Sequence, residues 1–202
     1  IFAFMIAEGC YYTSNVKKYM LRLFLFAIIS EIPFNLIMGS SVFYPFHQNV
    51  LWTFLLGVLS IQIIEKAKKK QKKWISFFVV CLVLLMDFLL GTITMVDYNA
   101  AGILTVLLFY FFRKKTWISF AAQLVGLYYL NVVMLGNLYY PVTILGHHFE
   151  IAQQSFALLA LIPIWLYHGE QGYHSKWFKY FCYAFYPVHL LILVVIWQWR
   201  IR

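Results

Sequence analysis

Charge is what this chain has least of. Only 11% of its 202 residues are Asp, Glu, Lys or Arg, and only 7 are acidic. Soluble globular domains carry about 25% charged residues, so this composition excludes an ordinary water-soluble fold. The chain has 3 cysteines, and Cys10, Cys81 and Cys182 fall in separate apolar stretches without metal-ligand spacing. They read as small buried hydrophobes. G-x-x-x-x-G-K-[ST], H-E-x-x-H and G-x-S-x-G are all missing, which leaves a P-loop motor, a zincin and a serine-hydrolase elbow unsupported. No internal repeat or linker breaks the chain, so residues 1–202 read as one domain.

What is present is apolar surface, 63% hydrophobic and 21% aromatic. Runs near bilayer length fall at about 1–12, 19–38, 50–65, 74–96, 98–112, 117–135, 151–167 and 177–199. They predict an all-α, polytopic integral membrane bundle of about eight transmembrane segments, with 136–150 as its longest uncharged loop. The first run is too short to span and opens on Ile1, so part of an N-terminal helix is expected ahead of it.

The formal net charge of +9 would suggest nucleic acid in a soluble protein. Here the cations sit between apolar runs, where they report topology and anionic lipid instead. Lys17 and Lys18 lie in the first loop, Lys66 to Lys73 in the third, Arg113 to Lys115 in the fifth, and Lys176 and Lys179 around the seventh. The loops near 39–49, 97–99 and 136–150 contain no Lys or Arg. This alternation predicts that the odd loops face the cytoplasm, with Arg200 and Arg202 as the exception outside.

Depth counted at about 1.5 Å per residue then brings Glu31, Asp87 and His189 into one layer of the membrane. Ionisable side chains at that depth mark function by default. Pro187 frees the Tyr183 carbonyl from its helical partner, beside that histidine. The same count predicts a pair between Glu8 and Arg22. Nearer the outer face stand His47, Gln48 and Asn49, then Asp97, Tyr98 and Asn99, then His147, His148 and Glu150. These read first as solvated tips and caps. Asn49 and Asp97 are singled out because each opens a helix at the rim of the expected cavity. The H-H-x-E cluster has nothing to fix a metal geometry, and no metal is expected.

Six strings in order carry a resemblance: F-A-F-M-I-A-E-G (2–9), N-V-K-K-Y-M-L-R-L (15–23), S-E-I-P-F (30–34), Q-N-V-L-W-T-F-L-L-G (48–57), D-Y-N-A-A-G-I-L (97–104) and Y-P-V-H-L-L-I-L (186–193). In order and spacing the chain resembles the TraX family, whose founding member acetylates the N-terminus of F-pilin. The last string is also similar to the Y-x-x-H element of broader multi-pass acyltransferases. The resemblance implies a bacterial cytoplasmic-membrane enzyme that moves an acetyl group from acetyl-CoA to a peptide or other membrane-proximal acceptor. It also implies a helix bearing an Asp-His pair ahead of Ile1.

Acetyl transfer to an amine or hydroxyl needs a base and an oxyanion donor. His189 in a low-dielectric site is biased to the neutral form a base requires. Asp87 or Glu31 would hold its tautomer, and Asn49 or Tyr186 would donate to the oxyanion. Lys17, Lys18, Arg22 and Arg113 are the cations expected to meet the donor's phosphates. The competing readings are a proton-coupled transporter using Glu31, Asp87 and His189 as a relay, and a structural subunit without chemistry.

Overall fold

The computed structural model describes residues 1–136, 138–144, 147–170, 172–173 and 175–201; Arg202, expected at the outer face, lies outside them. Helix α1 spans Phe2–Tyr12, α2 Val16–Gly39, α3 Val50–Lys70, α4 Lys73–Ile93, α5 Asn99–Phe111 and α6 Trp117–Tyr128. α6 runs on into a π-helical turn at Tyr129–Met134. Strands β1 (Tyr139–Ile144) and β2 (His147–Ala152) follow, then a 3-10 turn at Gln153–Ala160. Short α7 (Leu161–Leu166) and long α8 (Lys176–Ile201) close the chain.

Polar side chains set the helix starts. Asn15 accepts from the Lys18 backbone N–H at 3.0 Å, Asn49 from Leu51 at 3.0 Å and Thr116 from Ser119 at 3.2 Å. Each supplies an acceptor to a first-turn donor that the helix cannot satisfy itself. Lys68, Lys69 and Lys70 sit in the last turn of α3, where positive charge suits the helix dipole.

Five helical stretches are long and apolar enough to cross a membrane: Val16–Gly39, Val50–Lys70, Lys73–Ile93, Trp117–Met134 and Tyr180–Trp199. The count of about eight spans is not confirmed among the described residues. α1 has 11 residues and α5 has 13, which at 1.5 Å each gives about 20 Å or less, short of a roughly 30 Å hydrocarbon core. The run at 151–167 divides between the end of β2, the 3-10 turn and a six-residue helix. The stretch at 136–150 is not a bare loop either. β1 and β2 pair antiparallel, from Tyr139↔Ala152 to Ile144↔His147, so the fold is helical with one hairpin added.

α3 is the centre of the packing and touches α1, α2, α4 and α5. Its Val58, Ile61 and Ile64 join Cys10, Leu23, Val83, Val106 and Leu107 in the main core. A second core gathers Ala7, Phe109, Leu127, Leu161 and Ile164 from α1, α5, α6 and α7. α4 and α5 meet almost backbone to backbone: a Cβ on Gly91 would stand 2.6 Å from the Ala100 nitrogen. α8 leans chiefly on α2. Of the cysteines expected to be buried, only Cys10 is; Cys81 and Cys182 lie on exposed helix faces.

A candidate acid-base site at the helix rim

The start of α3 gathers the polar side chains. Asn49 is fully buried. Its Oδ1 caps the helix, while Nδ2 donates to the Ala27 carbonyl at 2.9 Å and to Glu31 Oε2. Trp52 Nε1 donates to the same Glu31 oxygen at 2.9 Å. Glu31 therefore reaches the start of α3 by way of two donors, one turn apart.

The turn before α5 is laced to the segment before α3. Gln48 and Val96 form an isolated parallel bridge: the Gln48 N–H donates to Met95 at 3.0 Å, and the Asp97 N–H donates to Gln48 at 2.9 Å. Thr53 Oγ donates to the Asp97 carbonyl at 2.7 Å. Met95, Tyr98 and Asn99 hold φ of 51°, 61° and 46°, a left-handed region unfavourable to residues with a Cβ. Strain of this kind persists only where the surroundings impose it, and it clusters at working sites.

That turn presents Asp97 to His47, Oδ1 to Nε2 at 3.3 Å. The His47 ring stacks on Phe34 with centroids 5.5 Å apart. Its side chain is 37% exposed against 26% for Asp97. Burial pushes the Asp97 carboxyl above its ordinary value, and the His47 hydrogen bond pulls it back in part. A half-shielded carboxylate on one imidazole nitrogen fixes the tautomer and leaves the other nitrogen to exchange protons.

α8 supplies the facing wall. The half-buried Tyr186 turns its hydroxyl toward the Val50 backbone N–H at the start of α3. His189 stacks on Phe185 at 5.7 Å and 4°. Its Nδ1 is shielded and has no hydrogen-bond partner, as is true of Glu31 Oε1.

The structure therefore brings Glu31, Asn49, Asp97 and Tyr186 together. It sets Asp87 apart. Asp87 is buried and accepts from Ser60 Oγ at 2.7 Å, eleven residues along α3 from Asn49, or about 16 Å. Equal depth along separate helices does not mean a shared cavity. The Glu8–Arg22 pair is also corrected: Glu8 takes Arg113 in a bidentate pair at 2.6 and 3.1 Å. Arg22 instead lies 5.8 Å from the ring centres of Tyr19 and Tyr183. Lys17 and Lys18 are exposed. His148 meets Thr143 at 2.9 Å, and among the described residues no three His, Cys, Asp or Glu side chains are placed to hold a metal ion.

Two members of the rim do not stand out in the sequence. His47 reads there as a loop tip and Trp52 as apolar filling. The available signal is position: H-Q-N directly before one helix and D-Y-N at the opening of another, which a short bridge zips together.

Five apolar helices of spanning length, with a partly shielded carboxylate–imidazole pair beside a buried amide, are the features of a membrane protein with a polar site at its rim. The chain belongs to the TraX protein family, whose profile matches residues 1–197. No curated protein and no solved structure matches it.

Proposed function

We propose that this protein is a multi-pass acetyltransferase of the bacterial cytoplasmic membrane. It takes its acetyl group from acetyl-CoA and passes it to an amine or hydroxyl acceptor, a peptide N-terminus being the acceptor that the TraX resemblance suggests. The observation that carries this reading is the His47–Asp97 pair set beside Glu31, Asn49 and Tyr186.

The acceptor's lone pair adds to the thioester carbonyl while His47 takes its proton, and Asp97 steadies the imidazolium that forms. Collapse of the tetrahedral adduct breaks the C–S bond, and the proton passes from His47 to the departing thiolate. Asn49 has two amide hydrogens, and both are engaged, with Ala27 and Glu31. It is thus a positioning residue, which leaves Tyr186 as the oxyanion donor. His189 follows Tyr186 by one turn of α8, with the two ring centroids 6.3 Å apart. A proton relay through Glu31, Asp87 and His189 has less support, because Asp87 bonds to Ser60 instead.

The test is transfer from labelled acetyl-CoA to an amine-bearing peptide by the purified chain. Removing the base or its partner typically lowers such a rate by about 10² to 10⁴, so His47→Gln and Asp97→Asn should each fall in that range. Folded variants that keep wild-type turnover would remove the pair from the mechanism.

A further inference from the structure

A cavity of about 630 Å³ lies away from the rim, between α4, α5 and the end of α6. Its floor is one stripe of α5: Leu104, Leu107, Leu108 and Phe111 recur at the spacing that keeps side chains on a single helix face. Leu84 and Phe88, one turn apart, form the α4 wall. Tyr129 and Met134 form the opposite wall, and both belong to the π-helical turn that ends α6. Such turns are rare and concentrate at functional sites. The volume falls within the range of ligand pockets, about 300–1,000 Å³.

The groove is open along its side. Phe88, Phe111 and Tyr129 on its edges are 47%, 37% and 55% exposed. Both walls belong to stretches long and apolar enough to cross a membrane, so the slot opens toward hydrocarbon rather than toward water.

Charge stands at one end only. α3 and α5 both run away from the rim, which puts Phe111 at the end of the bundle that carries the α3–α4 lysines. Lys68 Nζ donates to the Tyr110 hydroxyl at 3.0 Å and lies 5.4 Å from the centre of the Phe111 ring, at the mouth of the groove. The acidic member of this network, Glu65, accepts from the Tyr110 hydroxyl. Lys68 is exposed and forms no salt bridge among the described residues. Its ammonium has three donors, and the tyrosine is a neutral partner. Lys66, Lys69, Lys70, Lys72 and Lys73 crowd the same connection and add to the positive potential there. An apolar slot that ends at an unneutralised cation matches a phospholipid, with its chain in the slot and its phosphate at the ammonium.

We propose that this groove binds one anionic phospholipid, whose acyl chain lies along the α5 stripe between Phe88 and Tyr129 while its phosphate meets Lys68. The site stands apart from the His47–Asp97 pair and does not depend on the acetyl-transfer reading.

The experiment exposes the full chain in detergent to equal amounts of phosphatidylglycerol and phosphatidylcholine and reads the retained lipid in native mass spectra. Wild type should retain phosphatidylglycerol at least threefold over phosphatidylcholine. Lys68→Gln should bring the two within twofold of each other. Leu104→Trp, which fills the floor, should lower retention of both at least threefold. Leu85→Trp, on an exposed face of α4 outside the groove, should leave both within twofold of wild type. Should Leu104→Trp fail to fold, Phe88→Ala strips an exposed edge instead, and at least twofold weaker retention of both is expected. A wild type without preference, a preference that survives Lys68→Gln, or retention indifferent to the groove variant that folds overturns the site. Paired chains in the same spectra, lost in the groove variant, would make this face a contact between copies and overturn it as well.

Discussion

Asp97 meets His47 across two separate rim segments, Oδ1 to Nε2 at 3.3 Å, and the only ladder between those segments is the two-bond bridge of Gln48 and Val96. The pair is fifty residues apart in sequence. Its geometry depends on a strained turn rather than on a regular element.

The carboxyl of Asp97 gives stability a pH dependence of definite sign. Its folded-state pKa is raised above the ordinary 3.8, so the folded chain binds this proton more readily than the unfolded chain. That contribution is fully present below pH 3.8 and is lost as pH rises through the higher folded value. Melting temperature measured across that window should fall less steeply with pH for Asp97→Asn than for wild type. Identical slopes would contradict the burial of this carboxyl.

Asn49 separates capping from site chemistry. Asn49→Asp keeps an oxygen to cap Leu51 but loses both amide donors and places a second carboxylate against Glu31. Stability should drop by about 1–3 kcal/mol, the penalty for buried groups left unpaired. Transfer activity should fall further than for Asn49→Ser at equal folded fraction. Thermal melts paired with turnover would decide this, and equal activity of the two variants would count against a positioning role.

Gly91→Ala tests the contact between α4 and α5. The added methyl would stand 2.6 Å from backbone atoms of Ala100, which cannot rotate away. Overpacking of this kind costs about 1–3 kcal/mol. A lower melting temperature is expected, and a neutral result would mean the helices separate easily.

Glu8 and Arg113 form a pair whose side chains are 12% and 27% exposed. A double-mutant cycle of Glu8→Gln with Arg113→Gln should show coupling of about 0.5–3 kcal/mol. Additive losses would reduce the pair to an incidental contact.

Ser60 is the donor that satisfies Asp87 inside the bundle. Ser60→Ala leaves that carboxyl with neither oxygen bonded, at a cost of about 1–3 kcal/mol. Because the pair lies about three turns of α3 from the rim, the variant should lose stability while the folded fraction keeps its turnover.

The long helices are legible in the sequence because an apolar run near twenty residues matches the thickness of a bilayer and exceeds what a soluble core helix needs. α5 and the 151–167 stretch are overread by the same rule: their length is close to sufficient and nothing in their composition forbids a span. The hairpin leaves a weaker trace. Y-Y-P-V-T-I and H-H-F-E-I-A are β-prone runs without a strong turn pair such as Asn-Gly between them, and apolar content outweighs alternation. At the site, Asn49 and Asp97 are legible as polar groups where helices open, Glu31 as an ionisable group within a span, and Tyr186 through its Y-x-x-H string. Asp87 is misplaced because counting residues gives depth and never azimuth. Arg22 loses its expected partner because Arg113, 105 residues from Glu8, is nearer in space than in sequence.

The left-handed turn has one more consequence. Met95 and Tyr98 take a conformation that costs a side-chain-bearing residue about 1–2 kcal/mol each, and neither of them is glycine; Asn99 tolerates the same region more easily. The segment that aims Asp97 would relax into another shape if released, and two backbone bonds to Gln48 with one hydroxyl from Thr53 restrain it. Glycine at position 95 or 98 would make the protein harder to melt and its carboxylate less well aimed, so durability and chemistry pull this corner of the molecule in opposite directions.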